Sequence, residues 1–175
     1  GLIPVYLKDR FRGGEFFANM KSVMTIHNLK FQGVWDVKTI QRFSMLPDYY
    51  FTPDKLEAYK DGNMLKGGIV FADAITTVSQ TYAEEIKMPF YGEGLDGLMR
   101  ARAGDLRGIV NGIDYDEFNP ETDKLIAQPY NARNFRKEKG KNKKQLQAQL
   151  GLPVDEKKFM VGIVSRLTDQ KGLDL

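Results

Sequence analysis

Four short segments of this chain share one layout, an apolar and largely β-branched run whose last residues turn polar. They are Val23-Met24-Thr25-Ile26 into His27-Asn28, Ala74-Ile75-Thr76-Thr77-Val78 into Ser79, Gly108-Ile109-Val110 into Asn111, and Gly162-Ile163-Val164 into Ser165-Arg166. A strand covered on both faces reads as such a run. Stretches with helical spacing separate the four, and alternation of strands with helices predicts an α/β fold around a Rossmann-like parallel sheet. Ligand groups gather beyond the carboxyl ends of strands in such sheets, so the polar residues that close each run are the candidate site.

The helical stretches carry their own punctuation. Asn63 is placed to cap a helix through Met64, Leu65, Ile69 and Ala72, and either Ser79 or Thr81 starts another, the latter with Glu84 in capping-box spacing. Asn142-Lys143-Lys144-Gln145 has the same spacing; Leu146 and Leu150 then share a face, and Gly151 with Pro153 supplies a stop. A break at Asn119-Pro120-Glu121-Thr122-Asp123, followed by polar sequence to about Lys141, marks an expected domain boundary. Gly1-Leu2-Ile3-Pro4 has neither an initiator Met nor a signal-peptide layout, and Leu173-Asp174-Leu175 reads as the first turn of a further helix. The expectation is a piece of a longer chain.

Composition excludes several functions. With 175 residues and 42% hydrophobic content the chain can bury one substantial core or two partial ones. No apolar stretch approaches the ~20 residues of a membrane span, so no membrane partner is expected. Cys is absent and His27 is the single His, which leaves no thiolate ligands, makes zinc improbable and fits a reducing cytoplasm. The net charge is +3, yet Arg133 to Lys144 holds seven cations against Glu138. Only Phe135 interrupts them, so no series of stacking platforms accompanies the charge; a solvated linker and helix start is expected, and no nucleic-acid partner.

Arg166 and Lys171 follow the fourth run within one loop, where a planar guanidinium and a compact ammonium can clamp phosphate oxygens. The plainer alternative is a surface ion pair with Asp169 or Asp174. His27 ends a strand beside Asn28, and a hydrogen-bonded structural role is its plainer alternative. Asn111, before Gly112, either binds hydroxyls or closes an Asx-turn. Lys66 beside Gly67-Gly68 reads as a solvated lysine on a closely packed helix. Tyr6, Trp35, Tyr49, Tyr50, Phe51 and Tyr91 offer sugar-stacking faces, though most aromatics in such a chain are core. Gly92-Glu93-Gly94-Leu95-Asp96-Gly97 matches a dinucleotide fingerprint, but Lys87-Met88-Pro89-Phe90-Tyr91 is a poor preceding strand and the match is rejected.

Taken in order, Thr25-Ile26-His27-Asn28-Leu29, Asn63-Met64-Leu65-Lys66-Gly67-Gly68-Ile69, Ala72-Asp73-Ala74-Ile75-Thr76-Thr77-Val78-Ser79, Gly108-Ile109-Val110-Asn111-Gly112-Ile113-Asp114, Asn119-Pro120-Glu121-Thr122-Asp123 and Ser165-Arg166-Leu167-Thr168-Asp169-Gln170-Lys171-Gly172 resemble the bacterial glycogen synthase and plant starch synthase family. The likeness covers nearly the whole chain. It implies a GT-B fold, two Rossmann-like domains facing across a cleft. Residues 1–118 would be the later part of the amino-terminal, acceptor-side domain, 119–141 the connection, and 142–175 the start of the nucleotide-sugar-binding domain. The family's Lys-x-Gly-Gly loop and its Glu-bearing donor motif are not among these 175 residues.

The resemblance implies retaining transfer of glucose from ADP-glucose, or sometimes UDP-glucose, to the non-reducing end of an α-1,4-glucan, with no metal and no cofactor beyond the donor. Arg166 and Lys171 would bind the donor diphosphate, His27 would contact the donor glucose near its reacting end, and Asn111 its hydroxyls, with Asn28 beside them. A front-face pathway, in which the leaving phosphate assists the acceptor, then requires no protein nucleophile. A bacterial cytoplasmic setting is expected ahead of a plastid one only by default. Two other readings stand beside the resemblance: a non-catalytic folding or carbohydrate-binding unit, and another retaining GT-B sugar-nucleotide transferase. The piece by itself is expected to be inactive and, with strand edges lacking neighbours, to self-associate or to be disordered beyond about Asn119.

Overall fold

The computed structural model describes residues 1–173, which form two compact units, Gly1–Gly112 and a second from Ile113 onward. In the first unit, strands β1 (Val23–Ile26), β5 (Ala74–Thr77) and β6 (Leu106–Gly108) make a three-stranded parallel sheet in the order β1-β5-β6. Ile26, Thr77 and Gly108 stand in register at its carboxyl edge. The ladder is reinforced from within: the Thr77 hydroxyl donates to the Ile26 carbonyl at 2.7 Å, and the Thr25 and Thr76 hydroxyls meet at 2.8 Å.

Helices α3 (Met64–Phe71), α4 (Gln80–Glu85) and α5 (Asp96–Ala101) accompany this sheet. One core joins Ile26, Ile75 and Leu106 of the strands to Leu65, Ile69, Ala83, Ile86 and Met99 of the helices and their ends. The caps follow the sequence: Asn63 Oδ1 accepts from the Lys66 amide at 2.9 Å, and Ser79, not Thr81, accepts from the Tyr82 amide at 3.2 Å. At the other end of α3, Arg102 donates to the carbonyls of Ile69, Val70 and Ala72, filling the acceptors that a helix terminus leaves open. A second core of Val5, Leu46, Tyr50 and Leu56 lies beside α1 (Leu2–Val5) and α2 (Val37–Ser44). A small antiparallel sheet, β2 (Val34–Trp35), β4 (Asp61–Asn63) and β3 (Glu57–Ala58) in that spatial order, completes the unit.

Two expected strands differ. The third ends at Gly108, two residues earlier than Gly108-Ile109-Val110 predicts; the Ile109 amide still donates to the Thr77 carbonyl at 2.7 Å, and Ile109 and Val110 are exposed. A Cβ on Gly108 would stand 2.4 Å from the Ser79 carbonyl oxygen, so the start of α4 lies directly against the strand's last residue. The fourth run forms no strand: Phe159, Val161, Ile163 and Val164 are all exposed. A strand exists only as a member of a ladder, and this segment has no neighbouring strand among the described residues.

In the second unit, α6 (Phe135–Gln149) begins well before the expected Asn142 cap. Asn142 sits inside the helix, where its amide accepts from the Gln128 amide at 2.8 Å and donates to the Gln128 carbonyl at 2.7 Å. Gln147 holds the backbone of Asp155 in the same two-way fashion, at 3.0 Å in both directions. These pairs fasten the flanking segments to α6, a role for which helical spacing gives no signal. The expected Leu146–Leu150 face is exposed. Three of the seven cations in the basic run are occupied within the unit: Lys141 pairs with Glu138 and Lys144 with Glu156, both at 2.6 Å, while Lys143 donates to the carbonyls of Glu156 and Lys158. Among the described residues no helix is long and apolar enough to cross a membrane.

Candidate functional site

The carboxyl edge of the parallel sheet carries three of the five expected site residues. His27 follows Ile26 directly and is exposed. Its turn is braced on both sides, by Ile26 and by Leu29, which is fully buried and donates its amide to the Tyr82 hydroxyl at 3.1 Å. Asn28 Oδ1 accepts from the Lys30 amide at 3.0 Å, an Asx-turn that fixes the backbone immediately after His27. Asn111 is exposed three residues past Gly108. Since β5 alone separates β1 from β6, the strands that deliver His27 and Asn111 lie about 10 Å apart.

Asn111 also leads into a hydrogen-bonded loop. Asp114 Oδ1 accepts from the amides of Asp116 and Glu117, at 2.9 and 3.0 Å, and these bonds hold its carboxyl below the usual carboxylate range. Asn119 Oδ1 accepts from the Glu121 amide, and the Tyr130 amide donates to the Pro120 carbonyl. The Asn-Pro segment is a hydrogen-bonded turn.

Arg166 and Lys171 belong to the second unit. The Thr168 amide donates to the Arg166 carbonyl and the Lys171 amide to the Thr168 carbonyl, each at 3.0 Å, so two successive turns carry the two cations. Both side chains are exposed, and among the described residues no carboxylate pairs with either. The alternative partners fall outside what is described: Asp174 is beyond residue 173, and the Asp169 side chain is not described. Among the described residues no group of three or more His, Cys, Asp or Glu could hold a metal ion.

Sequence reasoning missed two residues near this edge. Lys66 is not a solvated lysine: its ammonium donates to the carbonyls of Pro53, at 2.5 Å, and Glu57, and burial lowers its pKa against the pull of Glu57 and Asp54. It ties the 53–57 loop to the first turn of α3. Gln32 accepts from Asn63 Nδ2 at 2.6 Å and donates to the Glu93 carbonyl at 2.8 Å, linking the segment after His27 to the glycine-rich turn. A glutamine in a loop gives no sequence signal for this. That turn, residues 92–97, has no strand before it and runs into α5, as its rejection as a dinucleotide fingerprint requires. Gly67 and Gly68 do mark close packing: added Cβ atoms would meet Leu56 Cγ at 2.8 Å and the Gly1 carbonyl oxygen at 3.0 Å. Of the candidate stacking aromatics, Tyr50 is buried beneath Tyr49, whereas Trp35, Tyr49 and Tyr91 are exposed.

The first unit thus carries a parallel sheet with a polar carboxyl edge, and the second unit a loop that bears two exposed cations. Residues 1–101 match the family described as starch synthase catalytic domain. The chain belongs to that family. It is 71% identical over all 175 residues to a glycogen synthase of Lachnospira eligens and covers 37% of that protein. It is 53% identical over 174 residues, 99% of the chain, to a glycogen synthase of Thermotoga maritima, of which it covers 35%. Among solved structures, the catalytic domain of starch synthase IV from Arabidopsis thaliana, bound to ADP and acarbose, matches with a TM-score of 0.85 and 31% identity over 98% of this chain and 35% of that one. The α/β, GT-B reading of the fold therefore holds, and the chain spans little more than a third of the length of the relatives it matches.

Proposed function

We propose that this chain contributes the edge of the acceptor-side domain and the opening of the donor domain to a retaining glucosyltransferase, which moves glucose from ADP-glucose to the non-reducing end of an α-1,4-glucan. Residues 1–118, 119–141 and 142–175 are its acceptor-side part, connection and donor-side part. The observation that carries the reading is the delivery of His27 and Asn111 from two strands of one carboxyl edge, in a chain 71% identical to a glycogen synthase. The ADP and acarbose held by the starch synthase IV structure support a nucleotide-sugar donor and a glucan acceptor. Bacterial relatives support a cytoplasmic setting.

Cleaving a sugar–diphosphate bond builds negative charge on the departing phosphate and positive charge at the anomeric carbon. The Arg166 fork and the Lys171 ammonium would stabilise the first more in the transition state than in the ground state. Fixed cations of this kind do the work with no metal ligand set. His27, Asn28 and Asn111 would hold the donor glucose so that its reacting carbon meets the acceptor hydroxyl. The exposed run from Phe159 to Val164 supports self-association of the chain by itself.

The test is transfer of labelled glucose to glycogen by a protein of the relatives' full length that contains this chain, with ADP-glucose and UDP-glucose offered separately. Incorporation that falls by about two orders of magnitude or more on Arg166→Ala is expected. No extension with either donor would overturn the reading. The chain alone should give no measurable transfer.

A further inference from the structure

We infer that the cleft beside Tyr59 is a saccharide subsite, a place where the glucan lies outside the donor-binding edge. This rests on the glucan-acceptor reading above. The cleft holds about 430 Å³, within the range of small-ligand sites, and combines one aromatic wall, an apolar floor and a few convergent polar groups. Tyr59 forms the wall and is 80% exposed, with its hydroxyl donating to the Gly94 carbonyl at 3.1 Å. Leu95 and Leu98 supply apolar lining, and Asp54, Glu57 and Lys66 the polar groups.

The backbone that presents Tyr59 is unusual. Ala58 pairs with Asp61, so Tyr59-Lys60 is a two-residue hairpin turn, with φ of 54° and 74°. Such turns favour Asn-Gly; an aromatic and a lysine there sit in a conformation that side chains other than those of Asn, Asp and Gly resist. The Lys60 amide donates to Glu57 Oε1 at 2.6 Å, and Lys66 holds the Glu57 carbonyl, so the strained turn is secured from both sides. Strain kept in place by surrounding bonds, and used to hold out an aromatic face, points to a ligand.

The lining also selects the chemistry. Two carboxylates face one ammonium, and that ammonium already donates to the carbonyls of Pro53 and Glu57. A phosphate finds no uncommitted cation there. A neutral polyhydroxyl ligand finds an aromatic face for its C–H surface and carboxylate acceptors for its hydroxyls. The cleft is joined to the His27 segment through Gln32, whose amide donates to Glu93, the residue before Gly94. A glucan chain seated on Tyr59 thus lies against a turn that the segment after His27 itself braces.

The probe is maltoheptaose, bound to a protein of the relatives' full length and read by calorimetry and by hydrogen exchange. Amides of residues 53–61 and 93–98 should exchange more slowly with the sugar present. Tyr59→Leu, which keeps bulk and loses the planar face, should weaken binding about tenfold, and Tyr59→Trp should stay within about threefold of wild type. Unchanged exchange in those two segments overturns the subsite, whether or not Tyr59→Leu folds; so does a folded Tyr59→Leu with wild-type affinity. Only binding is read here. A protein that transfers glucose but fails these tests keeps its function and loses the subsite; one that passes them and transfers nothing keeps the subsite and loses the function.

Discussion

Ile75 and Ile163 occupy equivalent places in two apolar runs of the same design, yet one is fully buried and the other 74% exposed. Ile75 lies in β5, paired on one side with Met24 and on the other with Leu106, and covered by the helices of the first core. The run around Ile163 has a comparable composition but no strand beside it among the described residues. Apolar β-branched sequence therefore specifies readiness to be a strand, and the ladder decides whether one forms. Loop residues after such a run inherit the difference. His27 and Asn111 hang from fixed strand ends, whereas Arg166 is fixed by the local turn that follows it.

The largest expected effect separates the two isoleucines directly. Ile75→Ala should cost about 3–4 kcal/mol, because it empties volume from a closed core. Ile163→Ala should move stability by no more than about 0.5 kcal/mol. Denaturant unfolding of the chain measures both, and equal effects would show that the run around Ile163 is packed in solution. Ile163→Lys should instead lower the concentration-dependent light scattering expected of an exposed apolar run, with little change in the unfolding midpoint.

What the sequence made legible follows the range of the interaction concerned. Asn63 and Ser79 cap as read because a cap needs only its own three following residues. β1 and β5 fall where their β-branched runs lie, and with them the strand end at His27. Asn142 has the same local spacing but sits inside a helix, because its amide is taken by Gln128, fourteen residues away. Lys66 and Gln32 escaped for a similar reason: the carbonyls they serve, at Pro53, Glu57 and Glu93, are brought near by tertiary structure. The strand ends that make up the candidate site were readable, and the struts that brace them were not.

A smaller effect tests how closely the edge is built. Gly108→Ala would drive a Cβ to within 2.4 Å of the Ser79 oxygen and 2.5 Å of Gln80 Cα, both backbone atoms that cannot rotate away. A loss of about 2 kcal/mol in unfolding free energy is expected. The same change at Gly112, where nothing lies within 4 Å, should cost far less, and equal costs would mean that β6 does not approach α4 as closely as described.

The smallest effect concerns Asp73, which joins Lys8, beyond the end of the first helix, to Ser22, the residue before β1. Its carboxylate accepts from Lys8 Nζ at 2.6 Å and from the Ser22 amide at 2.8 Å, and Lys21 stands 3.6 Å away. The Lys8 bond first, then the Ser22 amide, lower its pKa from 3.8 to about 2. A carboxylate whose pKa is depressed by folding contributes stability that is fully present above its unfolded value and is lost as pH falls toward the folded one. The Asp73 contribution is therefore constant at neutral pH and fades between about pH 4 and pH 2. Solvent reaches this cluster, so the contribution is about 1 kcal/mol, less than the full shift would give. Asp73→Asn should lower stability by that amount at pH 7, and the gap to wild type should close as the pH approaches 2. A gap that persists at pH 2 would assign the loss to the Ser22 backbone contact rather than to charge, and would make the entry of the chain into β1 a matter of hydrogen bonding alone.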